Sequence, residues 1–149
     1  EIALAIDYSG SMSNNIKSVL SDLKLFVKSL ANVKNAGRGV KIGITTFGEK
    51  GREKINLNLT SDISKVQKTL VDLLYAFDVN QHSMDPGEAS YYGLLKTADL
   101  VWLSKNRQTI VITDEPSYSL QVGNRGFVDS VVNKMSKINV YPLMVKLCN

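Results

Sequence analysis

The chain begins with an unbroken apolar run, Ile2 to Ile6, that ends on an aspartate, Asp7. About a hundred residues later Ile110-Val111-Ile112-Thr113 runs into Asp114 in the same way. A short continuous apolar run reads as a strand buried on both faces, which is the habit of parallel sheets. A long amphipathic stretch follows the first run, and strand-like and helix-like segments alternate along the rest of the sequence. That alternation argues for an α/β fold: a doubly wound, mostly parallel sheet with helices on both faces. In open sheets of this kind ligands bind outside the carboxyl ends of the strands. The residues just past Ile6 and Thr113 are therefore the first place to look for a site.

Periodicity sets the remaining segments. A first helix is expected from about Asn14 to Val33. Its apolar residues Ile16, Val19, Leu20, Leu23, Phe26, Val27 and Leu30 recur at three and four and form a core-facing stripe. The Gly-rich stretch from Asn35 to Gly39 ends it. Val40 to Phe47 and Lys54 to Leu59 read as strands joined by a polar loop, Glu49 to Arg52, too short for anything but an antiparallel hairpin. The polar/apolar alternation of the second of these marks a half-exposed edge. Further helices are expected over Ile63 to Leu74, Gly87 to Leu103 and Phe127 to Ile138. In the second of them Tyr91, Leu94, Leu95, Ala98, Val101 and Trp102 face inward. Thr109 to Thr113 forms a central strand and Val140 to Val145 the last one.

Asp7-Tyr8-Ser9-Gly10-Ser11 places one carboxylate and two hydroxyls at i, i+2 and i+4 on a tight turn after a strand. Hard cations such as Mg²⁺ take oxygen ligands, few of them carboxylates. An Asp with two neutral hydroxyls suits that demand and leaves a bound ion electrophilic. Asp-x-Ser-x-Ser behind an apolar strand resembles the metal-ion-dependent adhesion site of the von Willebrand factor A family, and the resemblance covers nearly the whole chain. It implies a single domain over residues 1–149 and a Mg²⁺ ion, with Mn²⁺ or Ca²⁺ as alternatives, held by Asp7, Ser9 and Ser11. By the same resemblance Asp114 is the third-loop acid, reaching the ion directly or through water. Members of the family usually add a sixth strand and a closing helix. This chain stops after its fifth strand, so either the domain is compact or those elements lie outside the segment.

The second loop departs from the family pattern. Alignment on Gly87-Glu88-Ala89 puts Met84 where the family has a Thr, and a thioether is a poor ligand for a hard cation. Ser83 is one replacement. The other is an Asp-x-Pro-Glu variant, similar to that of integrin β-subunit I-like domains, in which Asp85 or Glu88 approaches the ion. Asp85 reads equally well as the N-cap of the following helix. His82, the single histidine, sits beside this loop, and Tyr8 and Tyr118 flank the site loops as a candidate contact rim.

Composition narrows the function classes. A chain of 149 residues supports one domain with a sizeable core. No run approaches the roughly 18 to 20 apolar residues of a membrane span. The net charge of +4 is scattered over helix faces, as at Lys17, Lys24, Lys28, Lys65 and Lys68, without the basic stripe and interleaved aromatics of a nucleic-acid binder. The single cysteine, Cys148, has no partner within the chain, and Asn58-Leu59-Thr60 matches a glycosylation sequon. There is no Gly-x-Ser-x-Gly elbow and no phosphate-binding or dinucleotide-binding glycine loop. One histidine and one cysteine give little from which to build a zinc site, so an enzyme is not expected. The resemblance implies an adhesion module that captures an Asp or Glu carboxylate of a protein partner through the ion. Such a module belongs outside the cell or on its surface, within a larger multidomain protein. The alternative is an intracellular or periplasmic assembly subunit that docks on an ATPase or multi-protein complex.

Overall fold

The computed structural model describes residues 1–32, 39–48, 51–77, 89–114 and 125–147. Ile2–Asp7 forms β1 and is buried from Ala3 onward, as an unbroken apolar run demands. It lies at the centre of a five-stranded sheet with β2 (Ile42–Phe47), β3 (Lys54–Thr60), β4 (Arg107–Thr113) and β5 (Val140–Lys146), in the order β3-β2-β1-β4-β5. β1 is parallel to β2 and to β4, and β4 is parallel to β5. Only β3 runs antiparallel, on β2, with register shifts along the pair. Because the chain leaves β1 for β2 on one side and later returns to β4 on the other, the carboxyl ends of β1 and β4 border a topological switch point.

Four helices cover this sheet among the described residues: α1 (Ile16–Asn32), α2 (Ile63–Ala76), α3 (Ala89–Thr97) and α4 (Arg125–Lys137). Side chains alternate across a strand, so the inner strands feed two cores. Leu4 and Ile6 of β1 join Ile42, Ile44 and Ile112 beneath α1 and α2, which contribute Leu20, Val27, Val66 and Leu70. Ala5 points the other way, with Phe47 and Val111, against Leu94 of α3 and Val131 and Met135 of α4. α2 starts where Asp62 accepts the Lys65 N–H at 3.2 Å, the cap that leaves one fewer orphan donor at a helix start.

The α/β class, the mostly parallel sheet and the antiparallel edge pair are those expected from the sequence, and three local expectations are corrected. A 3-10 segment over Gly10–Asn14 precedes α1, which begins at Ile16. Phe26, expected in the α1 stripe, is 38% exposed. α3 ends at Thr97 rather than near Leu103, and Val101 and Leu103 are exposed. Its last turn closes on itself. The Thr97 hydroxyl donates to the Leu94 carbonyl at 2.7 Å, and the Thr97 carbonyl accepts from the Leu100 N–H at 3.2 Å and the Trp102 indole N–H at 2.9 Å. Helix-terminal carbonyls satisfied this way have no use for a further turn. Trp102 is thus a half-buried cap on α3 rather than part of it.

β5 forms the outer edge of the described sheet, and Tyr141, Leu143, Met144 and Val145 are exposed. The Leu147 N–H donates to the Thr113 carbonyl at 2.9 Å. The two-residue alternation of a parallel ladder therefore turns the backbone of Pro142 to the open side, where its missing N–H costs no ladder bond.

Close approach of α3 to the sheet rests on Gly93, where a Cβ would stand 2.4 Å from Cδ1 of the buried Phe47 ring. Gly93→Ala is expected to destabilise the fold by about 1–3 kcal/mol in urea unfolding, the range for overpacking a core, although alanine is the better helix former.

Candidate metal centre

Asp7 is the last residue of β1, one step past the Ile6–Ile112 pair of the parallel register. That step brings it level with Thr113, the last residue of β4, with Asp114 immediately beyond. The alternation that buries Leu4 and Ile6 on the α1/α2 side continues to Tyr8, which packs against the same core, and leaves Asp7 and Ser9 facing the other way. Met12, fully buried in the α1/α2 core, holds the far end of the loop. Gly48 lets the β2 exit pass close to the loop: a Cβ there would lie 3.4 Å from the Ser9 nitrogen.

The result is a chain of oxygen atoms. Asp7 Oδ1 accepts from the Ser9 hydroxyl at 2.6 Å and from the Ser9 N–H at 3.0 Å. Ser9 Oγ lies 2.9 Å from Ser11 Oγ, and the Ser11 hydroxyl donates to Asp114 Oδ1 at 3.0 Å. Asp7 Oδ2 accepts from the Thr113 hydroxyl at 2.6 Å. Ser9 sits at the N-cap position of the 3-10 segment, yet its side chain caps nothing; the hydroxyl is turned to Asp7 and Ser11 instead. Asp7 is 3% exposed and Asp114 6%.

Burial pushes the Asp7 carboxyl above its ordinary range. Hydrogen bonds from Ser9 and Thr113 pull it back in part, and the like charge of Asp114 adds to the rise. Two carboxylates out of water and close to each other are costly unless a cation or protons compensate them. The donors are all oxygen: two acids and two hydroxyls whose lone pairs remain available. The Ser9–Ser11 and Ser11–Asp114 separations match the edge of an octahedron with metal–oxygen distances of about 2.0–2.1 Å, an edge of roughly 2.9 Å. Among the described residues no group of three or more His, Cys, Asp or Glu side chains is found. The residues present fit a hard divalent cation better than zinc or copper.

Asp7, Ser9, Ser11 and Asp114, expected from the sequence to converge, are thus brought together. Ser83, Asp85, Glu88, His82 and Tyr118, like Cys148, lie outside the described residues. Tyr8 takes a different place from the contact rim expected of it. It is half-buried, its ring stands edge-on to Phe77 at 5.0 Å between centroids, and its hydroxyl donates to the Leu73 carbonyl. Burial pushes that phenol up to about 12, so it remains a donor. Thr113 escaped the sequence reading. Its signal was the parallel register, which puts the residue before Asp114 opposite Asp7 once β1 and β4 are known to be neighbours.

A family model for the von Willebrand factor type A domain matches residues 2–116, which include both aspartates and every element from β1 to β4. The chain belongs to the von Willebrand factor type A domain family. Solved structures share its fold. The manganese-loaded TRAP protein of Plasmodium vivax aligns over 99% of this chain and 57% of its own, with a TM-score of 0.67 at 16% identity. The vWF domain of the type V pili tip protein Mfa5 from Porphyromonas gingivalis aligns over 78% of this chain and 38% of its own, at TM-score 0.59 and 18% identity. The open conformation of the pilus adhesin SpaC from Lactobacillus rhamnosus GG aligns over 76% and 14%, at TM-score 0.60 and 25% identity. This type A domain spans less than two thirds of each of those proteins. No curated protein matches its sequence.

An acid held above its ordinary value in the folded state adds stability below the unfolded value and loses it as pH rises through the folded one. Asp7→Asn removes that loss. The metal-free variant is expected to melt above the metal-free parent at pH 7. The difference should close as pH falls toward 3.8, the ordinary value for Asp7. Melting curves of both proteins across that range check it.

Proposed function

We infer that Asp7, Ser9, Ser11 and Asp114 form a metal-ion-dependent adhesion site for a divalent cation, Mg²⁺ foremost and Mn²⁺ or Ca²⁺ in its place, and that the chain is a protein-binding module rather than an enzyme. The observation that carries this reading is the buried Asp7 carboxylate, bridged through two serine hydroxyls to a second acid of the same charge. Bound there, the cation supplies an electrophilic position for an Asp or Glu carboxylate of a protein partner. Asp7 provides the charge that retains it. Ser9 and Ser11 provide neutral donors, so the site is not neutralised by its own ligands. Thr113 holds the second oxygen of Asp7 and thereby fixes which oxygen faces the serines. Ser83 or Asp85 is the candidate for a donor from the second loop.

Support from the comparisons is of fold and kind. One structural neighbour is manganese-loaded; two others are pilus proteins, one of them an adhesin. Those neighbours favour an extracellular or cell-surface setting and a place within a larger protein. No helix among the described residues is long and apolar enough to cross a membrane.

Calorimetric titration of Mg²⁺, Mn²⁺ and Ca²⁺ into chelator-stripped protein tests the reading. Saturable binding is expected, lost in Asp7→Ala. A parent protein that binds none of the three ions would sink the proposal. In the same titration Thr113→Val is expected to weaken Mg²⁺ binding by roughly 10- to 100-fold, the usual cost of losing a partner that orients a metal ligand.

A further inference from the structure

We propose that Tyr8 is the positioning residue of the site: it sets the spacing of the Asp7, Ser9 and Ser11 oxygens by bolting the loop after β1 to the C-terminal turn of α2. This inference rests on the cation-binding reading above and goes beyond it, because Tyr8 itself offers nothing to an ion.

Its backbone N–H donates to the Phe47 carbonyl at 2.6 Å, extending the β1–β2 ladder one residue past Asp7. Its ring lies against the α1/α2 core and edge-on to Phe77 at an interplanar angle of 85°. Its hydroxyl donates to the carbonyl of Leu73. α2 ends at Ala76 with Phe77 as its C-cap, so that carbonyl belongs to the last turn of the helix. Tyr8 is therefore held at three points: backbone, ring face and ring tip. Its neighbours in sequence, Asp7 and Ser9, lie on the opposite side of the chain, with the Ser9 hydroxyl 2.6 Å from Asp7 Oδ1. Backbone rotation at Tyr8 would separate those two oxygens, and the hydroxyl at the ring tip is the fixture furthest from the strand.

A second fixture closes the loop at its other end. Met12 is fully buried, and its N–H donates to the Ser9 carbonyl at 3.2 Å. Ser9 to Ser11 thus lies between two residues, Tyr8 and Met12, that both pack into the α1/α2 core. A ligand set held by packing and hydrogen bonds on rigid elements binds without first having to be ordered. Coupling of this kind is reciprocal: if fixing Tyr8 favours the ion, the ion favours the Tyr8–Leu73 bond by the same factor.

The test compares the parent protein, Tyr8→Phe and Val66→Ala, a truncation in the core of the same helix that leaves Leu73 and Tyr8 untouched. Mg²⁺ affinity is read by calorimetry and amide exchange at Ala76 and Phe77 by mass spectrometry or NMR, with and without Mg²⁺. Tyr8→Phe is expected to bind Mg²⁺ roughly fivefold more weakly, the factor one neutral hydrogen bond is worth, while Val66→Ala binds as the parent does. Mg²⁺ is expected to slow exchange at the end of α2 in the parent and not in Tyr8→Phe. Equal affinities for the parent and Tyr8→Phe would overturn the inference and leave the cation site standing. Equal weakening in Val66→Ala would also overturn it, by showing a general effect of stability. A parent protein that binds no Mg²⁺ would remove both readings.

Discussion

A carboxylate in the middle of a sheet, almost wholly out of water, has to be answered by its surroundings, and around Asp7 they are arranged accordingly. The Ser9 amide and hydroxyl and the Thr113 hydroxyl donate to it, while Asp114 stands nearby with the same charge. The position follows from strand order. β1 has parallel neighbours on both sides, so its last residue cannot turn out to solvent at an edge. It must instead meet the last residue of β4. The hydroxyls satisfy part of the carboxylate's demand, and the remaining excess of negative charge is what suits the place to a cation.

The two faces of the sheet serve this site differently. On the α1/α2 side the side chains are bulky, from Leu4 and Ile6 to Ile42 and Ile44, and they fix the loop through Tyr8 and Met12. On the α3/α4 side β1 contributes alanine, and the bare α-carbon of Gly93 lets α3 settle on Phe47. Phe47 links the faces. Its ring supports α3 while its carbonyl receives the Tyr8 N–H. Packing on one side of the sheet is thereby connected to the geometry of the loop on the other, through one residue of β2.

At the far edge the physics changes. β5 buries only Val140 well, and its apolar side chains on both faces remain largely open. Among the described residues the strand is held chiefly by its parallel ladder with β4. The proline within it falls where no ladder donor is required. The carboxyl-terminal crevice between β1 and β4 lies one strand in from this edge, and the site rests on the carboxyl ends of those two strands, which are buried.

Much of this was legible in the residues. Unbroken apolar runs ending in Asp7 and Asp114 specified buried parallel strands with acids at their carboxyl ends, and the short polar loop before Lys54 specified the antiparallel pair. Those features are local: burial on both faces and a tight hairpin leave their mark on every residue of the segment. The extent of α3 was misread because Leu100, Val101, Trp102 and Leu103 continue an apolar pattern that looks helical, while the actual stop lies in hydrogen bonds to the Leu94 and Thr97 carbonyls, one of them from a side chain five residues away. The role of Thr113 and the inward turn of Tyr8 were decided only in three dimensions. One depends on which strand lies beside β1, and the other on where the last turn of α2 presents the Leu73 carbonyl. Sequence alone determined which residues carry the chemistry, because only certain side chains have it. Tertiary structure decided which of them face one another and which hold the others in place, because register and helix ends are set by contacts between segments far apart in the chain.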